Sequence, residues 1–243
     1  MLKILYYLYF FLISVPLLLV VTVFVSILTG GGSIVFGGKW WGYYPPKIWA
    51  KIFCILTFVR VKVEGKEKFD ERKSYVFVAN HQGAYDIFAI YGYLGHNFKW
   101  MMKKSLEKIP LIGFACRRAG HIFVDNSGVG AIKGTMRKAE QELKGGMSIV
   151  VFPEGSRTKT GKMSRFKRGA FQLAQEFSLP IVPITINGAF EVMPRTAFLP
   201  FYGTITLKIH DAIPAPGGEA DIKDKISEAY AAVYSGLDDK YKD

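Results

Sequence analysis

The sequence predicts an α/β fold, in which a central, mostly parallel or mixed sheet is flanked by helices and preceded by an N-terminal membrane-embedded helical pair. Short apolar runs at residues 75–79 and 148–152 are typical of strands that are buried on both faces of a sheet. Amphipathic stretches such as residues 128–143 alternate with these runs, as helices do in α/β folds. A long uncharged run, residues 4–28, precedes the whole pattern.

The uncharged run is long enough to cross a bilayer. As a helix, its residues would measure about 37 Å, against a hydrocarbon core of about 30 Å. Pro16 falls in the middle of the run and should kink it. A cleaved signal peptide is the alternative, but only Lys3 makes a basic leader and no Ala-x-Ala site follows. We therefore expect a membrane anchor over residues 1–60 and a second domain over residues 61–243.

The anchor should contain two further parts. Residues 29–45 are rich in glycine and aromatic side chains, which predicts a flexible connector. Residues 46–59 place their apolar side chains at helical spacing, which predicts an amphipathic helix. That helix suits a membrane interface or the core of the second domain, and its sequence does not decide between them. The anchor then either spans the bilayer once or enters one leaflet as a kinked helical pair.

Half of the residues are hydrophobic, yet the formal charge is +12, so apolar and basic surfaces must be separated. Two segments concentrate the cations: residues 157–168 hold six and no acid, and residues 99–118 hold six against Glu107 alone. Such segments attract a phosphomonoester or an anionic lipid surface, although solvated basic surface is the common alternative. The candidate phosphate ligands are Lys103 and Arg157, with Arg117, Arg118 and Arg168 as additional contacts.

Other classes of site have little support in the sequence. The four histidines are scattered without the spacing of metal ligands, and Cys54 and Cys116 form no CxxC motif. We therefore expect free thiols and no metal site. No nucleic-acid recognition module is present, and basic residues near a membrane anchor are explained more simply by lipid headgroups. Membrane phospholipids, not nucleic acid, are the expected partner.

A His-x4-Asp motif lies directly after the first buried run. Gly83 stands between His81 and Asp86, and it would let the carboxylate fold back onto the imidazole at a turn from a strand into a helix. Such a pair can take a proton from an alcohol, because the carboxylate fixes the tautomer and stabilises the imidazolium. An ordinary loop histidine beside a helix N-terminus is the alternative.

Further blocks follow this motif in a fixed order. They are Phe152-Pro153-Glu154-Gly155-Ser156-Arg157-Thr158 and Val182-Pro183-Ile184. Together with the His-x4-Asp motif they resemble the glycerolipid acyltransferase family, and in particular the bacterial 1-acyl-sn-glycerol-3-phosphate acyltransferases. The resemblance covers about residues 61–211, so that residues 61–243 would be an acyltransferase domain.

The resemblance implies a membrane-bound enzyme of phospholipid biosynthesis. It would transfer an acyl group from a thioester of acyl carrier protein or coenzyme A to the free hydroxyl of lysophosphatidate, giving phosphatidate without a bound cofactor. His81 would be the base, with Asp86 as its partner. Glu154 and Gly155 would help to seat the acceptor, and backbone amides near Gly155 would hold the oxyanion. Alternatively, Glu154 only pairs with an arginine and holds its loop.

The same resemblance favours the one-leaflet topology at the inner cell membrane, with the catalytic domain on the cytoplasmic face, in agreement with the positive-inside bias. One position departs from the family, since Asn126 stands where most relatives carry arginine. This departure gives weight to a different acceptor, glycerol 3-phosphate or a lyso-aminolipid. A separate alternative is a non-catalytic membrane protein whose positive surface binds anionic lipid.

Overall fold

The computed structural model describes residues 1–125, 127–144 and 146–242, so Asn126 lies outside the described residues. Within them, seven strands form one sheet. The strands are β1 (Val59–Glu64), β2 (Val76–Ala79), β3 (Phe98–Lys103), β4 (Ile122–Val124), β5 (Ser148–Val151), β6 (Ile181–Asn187) and β7 (Gly203–Ile209).

The strand order is β1-β7-β6-β2-β5-β3-β4, with β2 in the centre. β6 and β7 are antiparallel, and all other neighbouring strands are parallel. The carboxyl ends of β2, β5 and β3 therefore meet at one edge of the sheet, where open α/β sheets place their ligands. The predicted mixed α/β sheet is confirmed.

Helices cover both faces of this sheet. Phe77 and Ala79 of β2 pack into the cluster that includes α5, whereas Val76 and Val78 pack against α8 and α10. Such alternation follows from the period of two along a strand. The helices are α1 (Leu2–Tyr9), α2 (Val15–Phe36), α3 (Gly38–Trp41), α4 (Tyr44–Leu56), α5 (Tyr85–Tyr93), α6 (Ile112–Arg118), α7 (Val129–Lys144), α8 (Gly169–Glu176), α9 (Ala189–Val192) and α10 (Ile222–Ser235).

The N-terminal run is one continuous helix, Leu2–Phe36, in which a π-helical turn, Phe10–Ser14, joins α1 to α2. This irregular turn ends just before Pro16, whose ring and missing N–H disturb the preceding turn of a helix. Among the described residues it is the one helix that is long and apolar enough to cross a membrane, with a mean hydropathy of 2.8.

The predicted connector differs from the structure, because α2 continues through its three glycines to Phe36. Packing explains why these glycines are helical. A Cβ atom on Gly30 would lie 2.3 Å from the ring of Phe114, and one on Gly32 would lie 2.4 Å from the ring of Trp41. The glycines thus let two aromatic rings reach the helix backbone, and this gain outweighs their low helix propensity.

The amphipathic helix predicted over residues 46–59 is α4, and it faces two environments. Ala50 and Cys54 are buried against the domain, whereas Ile48 and Ile55 are exposed. The indole of Trp49 donates a hydrogen bond of 2.9 Å to Thr22 Oγ1, which ties α4 to α2. The core setting therefore holds for the face that carries Ala50 and Cys54, and the membrane setting stays a prediction for the exposed face.

The C-terminal tail beyond α10 packs against the rest of the fold. Tyr241 is buried, and its hydroxyl donates a hydrogen bond to the carboxylate of Glu191. Lys240 forms an ion pair of 2.6 Å with the same carboxylate. The tail is therefore fixed to α9, an element that the sequence analysis had not predicted.

Candidate active site

The turn from β2 into α5 brings His81 and Asp86 together. His81 Nδ1 lies 2.7 Å from Asp86 Oδ2, and the amide of Gly83 donates a bond of 2.9 Å to the same oxygen. The Asp86 side chain is fully buried, whereas that of His81 is 15 % exposed. Because the carboxylate accepts at Nδ1, that nitrogen carries the proton and Nε2 is left as the basic nitrogen of the neutral ring.

Close packing explains why glycine stands in this turn. A Cβ atom on Gly83 would lie 2.3 Å from the carbonyl oxygen of Ala189 and 2.7 Å from that of Met193. The next amide, that of Ala84, donates a bond of 3.1 Å to the Met193 carbonyl. A side chain at position 83 would therefore push the turn away from the segment that supports it.

Glu154 holds the same turn from the neighbouring strand. Its Oε1 accepts the backbone N–H of His81 at 2.7 Å. Its Oε2 accepts the amide and the hydroxyl of Ser164, at 2.9 and 2.7 Å. Burial raises the pKa of this carboxyl, and the hydrogen bonds from Ser164 and His81 oppose that rise.

These contacts bear on both interpretations of Glu154. Both oxygens are occupied by donors of the chain, which favours the loop-holding role over a direct role in seating the acceptor. The partners are His81 and Ser164, however, not the arginine that the sequence suggested.

Gly155 closes a tight turn after β5. Its amide donates a bond of 2.9 Å to the carbonyl of Phe152, and Pro153 supplies the fixed φ that suits the second position of such a turn. Because the turn already uses the Gly155 amide, the predicted oxyanion contact would have to come from other backbone amides near it. Gly155 has a φ of +77°, and a Cβ atom there would lie 2.6 Å from Lys167 Nζ. A cation thus lies directly over this turn.

Arg157 is held beside the His81 turn because Thr158, the next residue in the sequence, bonds to that turn. The amide of Thr158 donates a bond of 2.9 Å to the carbonyl of His81. On the other side, Arg195 Nη1 lies 3.5 Å from the carbonyl oxygen of Arg157. The Arg157 side chain is partly exposed, as a group that binds a ligand must be.

The remaining predicted cations lie in different settings. Lys103 ends β3 at the same edge of the sheet and is exposed. Arg117 forms an ion pair of 2.7 Å with Glu107, and Arg168 pairs with Glu219. Arg118 lies over the ring of Phe114, 5.7 Å from its centroid. Lys103 therefore lies near the candidate site. Arg117, Arg118 and Arg168 contact other side chains of the protein.

A stack of rings that the sequence analysis missed leads from His81 to a cavity. The His81 ring lies parallel to that of Phe152, with centroids 3.9 Å apart, and Phe152 stacks on Trp100 at 5.5 Å. Trp100 lines an apolar cavity of about 220 Å³ between α2, α4, α5 and α6. Ile87, the residue after Asp86, lines it too. Phe152 closes an apolar strand run in the sequence, so only its position in the fold reveals this contact.

The groups brought together at this edge are an imidazole paired with a carboxylate, a guanidinium group and an apolar cavity. They suit proton transfer, binding of an anion and binding of an aliphatic chain, respectively. In the part of the chain that the structure describes, no cluster of three His, Cys, Asp or Glu residues could hold a metal ion.

Comparison with known proteins agrees with this geometry. A family model described as Acyltransferase matches residues 60–187, which include the His81 turn and the Glu154 loop. The chain belongs to the acyltransferase family.

Several members of this family are similar to the chain. A chloroplastic 1-acyl-sn-glycerol-3-phosphate acyltransferase of Arabidopsis thaliana is 31% identical over 194 residues, which cover 77% of this chain and 53% of that protein. The human 1-acyl-sn-glycerol-3-phosphate acyltransferase alpha is 38% identical over 130 residues, which cover 53% of this chain and 46% of that protein. The chain thus spans about half the length of these curated relatives.

One solved family member matches over most of the fold. It is the 1-acyl-sn-glycerophosphate acyltransferase PlsC of Thermotoga maritima, which is 26% identical with a TM-score of 0.67. The match covers 93% of this chain and 91% of that one. The N-terminal helices and the acyltransferase sheet are therefore shared as one arrangement.

Proposed function

We propose that the chain transfers an acyl group from a thioester to the free hydroxyl of lysophosphatidate, giving phosphatidate. The observation that carries this proposal is the bond between His81 Nδ1 and Asp86, which leaves Nε2 as the nitrogen for substrate. The names of the similar proteins specify the acceptor, 1-acyl-sn-glycerol 3-phosphate.

In the proposed reaction, His81 Nε2 removes the proton from the acceptor hydroxyl as that oxygen attacks the thioester carbonyl. Asp86 stabilises the imidazolium that forms. The tetrahedral intermediate collapses by breaking its carbon–sulfur bond, and the leaving thiolate takes the proton back from His81. No acyl-enzyme forms, and the base returns to its starting state.

Binding of the acceptor phosphate is assigned to cations at the same edge of the sheet. Arg157 is attached to the His81 turn through Thr158, and Lys103 ends the strand next to β5. The ammonium group of Lys167 over Gly155 adds a third charge. A guanidinium group binds phosphate through two parallel hydrogen bonds, so Arg157 is the main proposed ligand.

The apolar cavity suits the acyl chain. The ring stack of Phe152 and Trp100 joins its wall to His81, so a chain in the cavity would place its carboxyl carbon near the base. Its other wall is α2, which contributes Thr22 and Ser26. Positioning of this kind supplies a large part of the rate enhancement in transfer reactions.

We further propose that residues 1–60 bind the inner membrane and that the catalytic domain, residues 61–243, lies on its cytoplasmic face. Two hydrogen bonds join α4 to the preceding helices: Trp49 to Thr22, and Ser14 to the carbonyl of Leu56 at 2.7 Å. These bonds support a helical pair within one leaflet over an isolated single span. A soluble donor, acyl carrier protein or coenzyme A thioester, would then approach from the cytoplasm.

The test is acyl transfer by the purified full-length chain in detergent. Lysophosphatidate and glycerol 3-phosphate are offered separately with each thioester donor, and the products are identified by mass spectrometry. Phosphatidate should form, and the His81→Ala variant should bind detergent micelles and melt like the wild type while forming no product. Absence of phosphatidate with both donors, or undiminished turnover by His81→Ala, contradicts the proposal.

A further inference from the structure

We propose that the segment from β3 to the end of α6, residues 104–118, is a second membrane-contacting element, which inserts apolar side chains into an anionic leaflet beside α2. This inference rests on the proposed membrane binding of residues 1–60 and goes beyond it, because it assigns a lipid contact to the catalytic domain itself. The segment comprises a 3₁₀ helix, Lys104–Lys108, a three-residue link and α6.

The segment exposes large apolar side chains in succession. Leu106, Ile109, Leu111 and Phe114 are 37, 40, 43 and 37 % exposed, respectively. Soluble proteins rarely expose such residues as a contiguous patch, and patches of this kind mark interaction or membrane surfaces. Leu111 at the apex also has a φ of +60°, a backbone conformation that is strained for a non-glycine residue. The fold therefore sustains local strain where it presents this leucine.

The apolar patch adjoins the candidate membrane helix. The Phe114 ring lies against Gly30 of α2, and the Arg118 carbonyl oxygen would lie 2.9 Å from a Cβ atom on Gly38. α6 therefore runs beside the end of α2 and the start of α3, in the same direction. If α2 lies in the bilayer, α6 lies at the bilayer surface. Leu111 is then at the end of α6 that faces the middle of α2. The patch and the helix would then share one apolar environment.

The charges around the patch match an anionic lipid surface. Residues 103–118 contain five cations, Lys103, Lys104, Lys108, Arg117 and Arg118, against one acid, Glu107. Glu107 forms ion pairs with Lys104 and Arg117, so an excess of positive charge remains. Basic residues close to an anionic membrane surface are attracted to it. Apolar insertion combined with basic residues is the pattern of interfacial membrane-binding segments.

This arrangement would open the apolar cavity toward lipid. Leu106 and Ile112 line it from the segment, while Thr22 and Ser26 line it from α2. A cavity walled on two sides by membrane-contacting elements can exchange an acyl chain with the bilayer without passing it through water. Insertion of the segment would thus deliver acyl chains to the proposed site.

The experiment measures insertion directly and does not depend on activity. The full-length chain with Cys116→Ser and Leu111→Cys is labelled with an environment-sensitive fluorophore, while Cys54 stays buried. It is reconstituted into vesicles of phosphatidylglycerol and phosphatidylcholine that carry a nitroxide-labelled lipid. The label should shift its emission to the blue and lose most of its intensity. The matched control is Ser227→Cys, exposed on α10 across the sheet, whose label should remain unquenched.

Two further variants keep the outcome interpretable. If Leu111→Cys does not fold, Ile109→Cys tests the same patch. Adding Lys108→Gln should reduce the quenching in phosphatidylglycerol vesicles and leave it unchanged in pure phosphatidylcholine. A label at position 111 that is no better quenched than the label at 227 overturns the proposal, whether or not the chain forms phosphatidate. Quenching with no phosphatidate formed would contradict the proposed function alone.

Discussion

The carboxylate of Glu154 accepts the backbone N–H of His81 at 2.7 Å. This bond joins the carboxyl ends of β5 and β2, two adjacent parallel strands. The other oxygen of Glu154 accepts from Ser164, which lies in the basic segment, residues 157–168. Three separate segments of the chain are thereby fixed around one imidazole. A carboxylate that bonds to the backbone of His81 can thus determine how rigidly the imidazole is held.

Replacing Glu154 with Gln should test this role. Oε1 can still accept from His81, but the amide –NH₂ would face the backbone N–H of Ser164, even if the Ser164 hydroxyl turns to accept from it. Leaving such donors unsatisfied costs about 1–3 kcal/mol, so we expect a lower melting temperature and a lower kcat. The Ser164→Ala variant, which removes one donor only, should lose less. A raised KM for the acceptor at an unchanged melting temperature would instead support direct acceptor contact.

Asp86→Asn tests the contribution of the Asp86 charge to the action of His81, the proposed base. Oδ2 accepts from both His81 and Gly83, while Oδ1 has no partner among the described residues, so an asparagine can keep both bonds. We expect a folded protein whose kcat falls by about 10³-fold or more, because the imidazolium loses its counter-charge. Steady-state kinetics and circular dichroism check this. A kcat within a few-fold of the wild type would show that the charge has no catalytic role.

The parts of the fold that followed from the sequence are those that depend on local patterns. β2 and β5 were predictable because strands buried on both faces are continuously apolar. The approach of Asp86 to His81 followed from the glycine between them. These features need no knowledge of distant segments.

The parts that were missed depend on tertiary contacts. Gly30 and Gly32 are poor helix formers and become helical because Phe114 and Trp41 pack on them. Ser164 belongs to a basic segment typical of solvated loops, and only folding brings it to Glu154. Tyr241 is fixed in the same way by Glu191, fifty residues before it. Local propensity carries no signal for such pairings.

Arg157→Ala should mainly weaken binding of the acceptor. A hydrogen bond to a charged group is worth about 1.5–3 kcal/mol, so we expect KM for lysophosphatidate to rise about tenfold or more. KM for the thioester should stay constant. Arg137→Ala on α7 is the matched control for loss of one exposed positive charge. Unchanged kcat and KM in Arg157→Ala would show that this guanidinium does not contact the phosphate.

Lys99 joins α3 to the residue that follows α6, and its replacement should loosen that junction. The buried ammonium donates to the Gly38 carbonyl at 2.8 Å and to the Ala119 carbonyl at 2.6 Å. Lys99→Met leaves both acceptors unsatisfied, so α3 should detach more easily. We expect a lower melting temperature and faster tryptic cleavage after Lys39. Lys223→Met on α10 is the exposed control and should change neither quantity.

The pH dependence of this effect has a defined sign. Burial lowers the pKa of Lys99 from 10.5 to about 8, although the charge of Glu142 opposes the shift. Between these two values the unfolded chain binds more protons than the folded chain, so the Lys99 contribution to stability rises with pH. The wild type should therefore gain melting temperature relative to Lys99→Met between pH 7.5 and pH 9.5. A shift of this size corresponds to roughly 3 kcal/mol when complete. A difference in melting temperature that shrinks over this interval would mean that Lys99 stays charged, held by its two carbonyl partners.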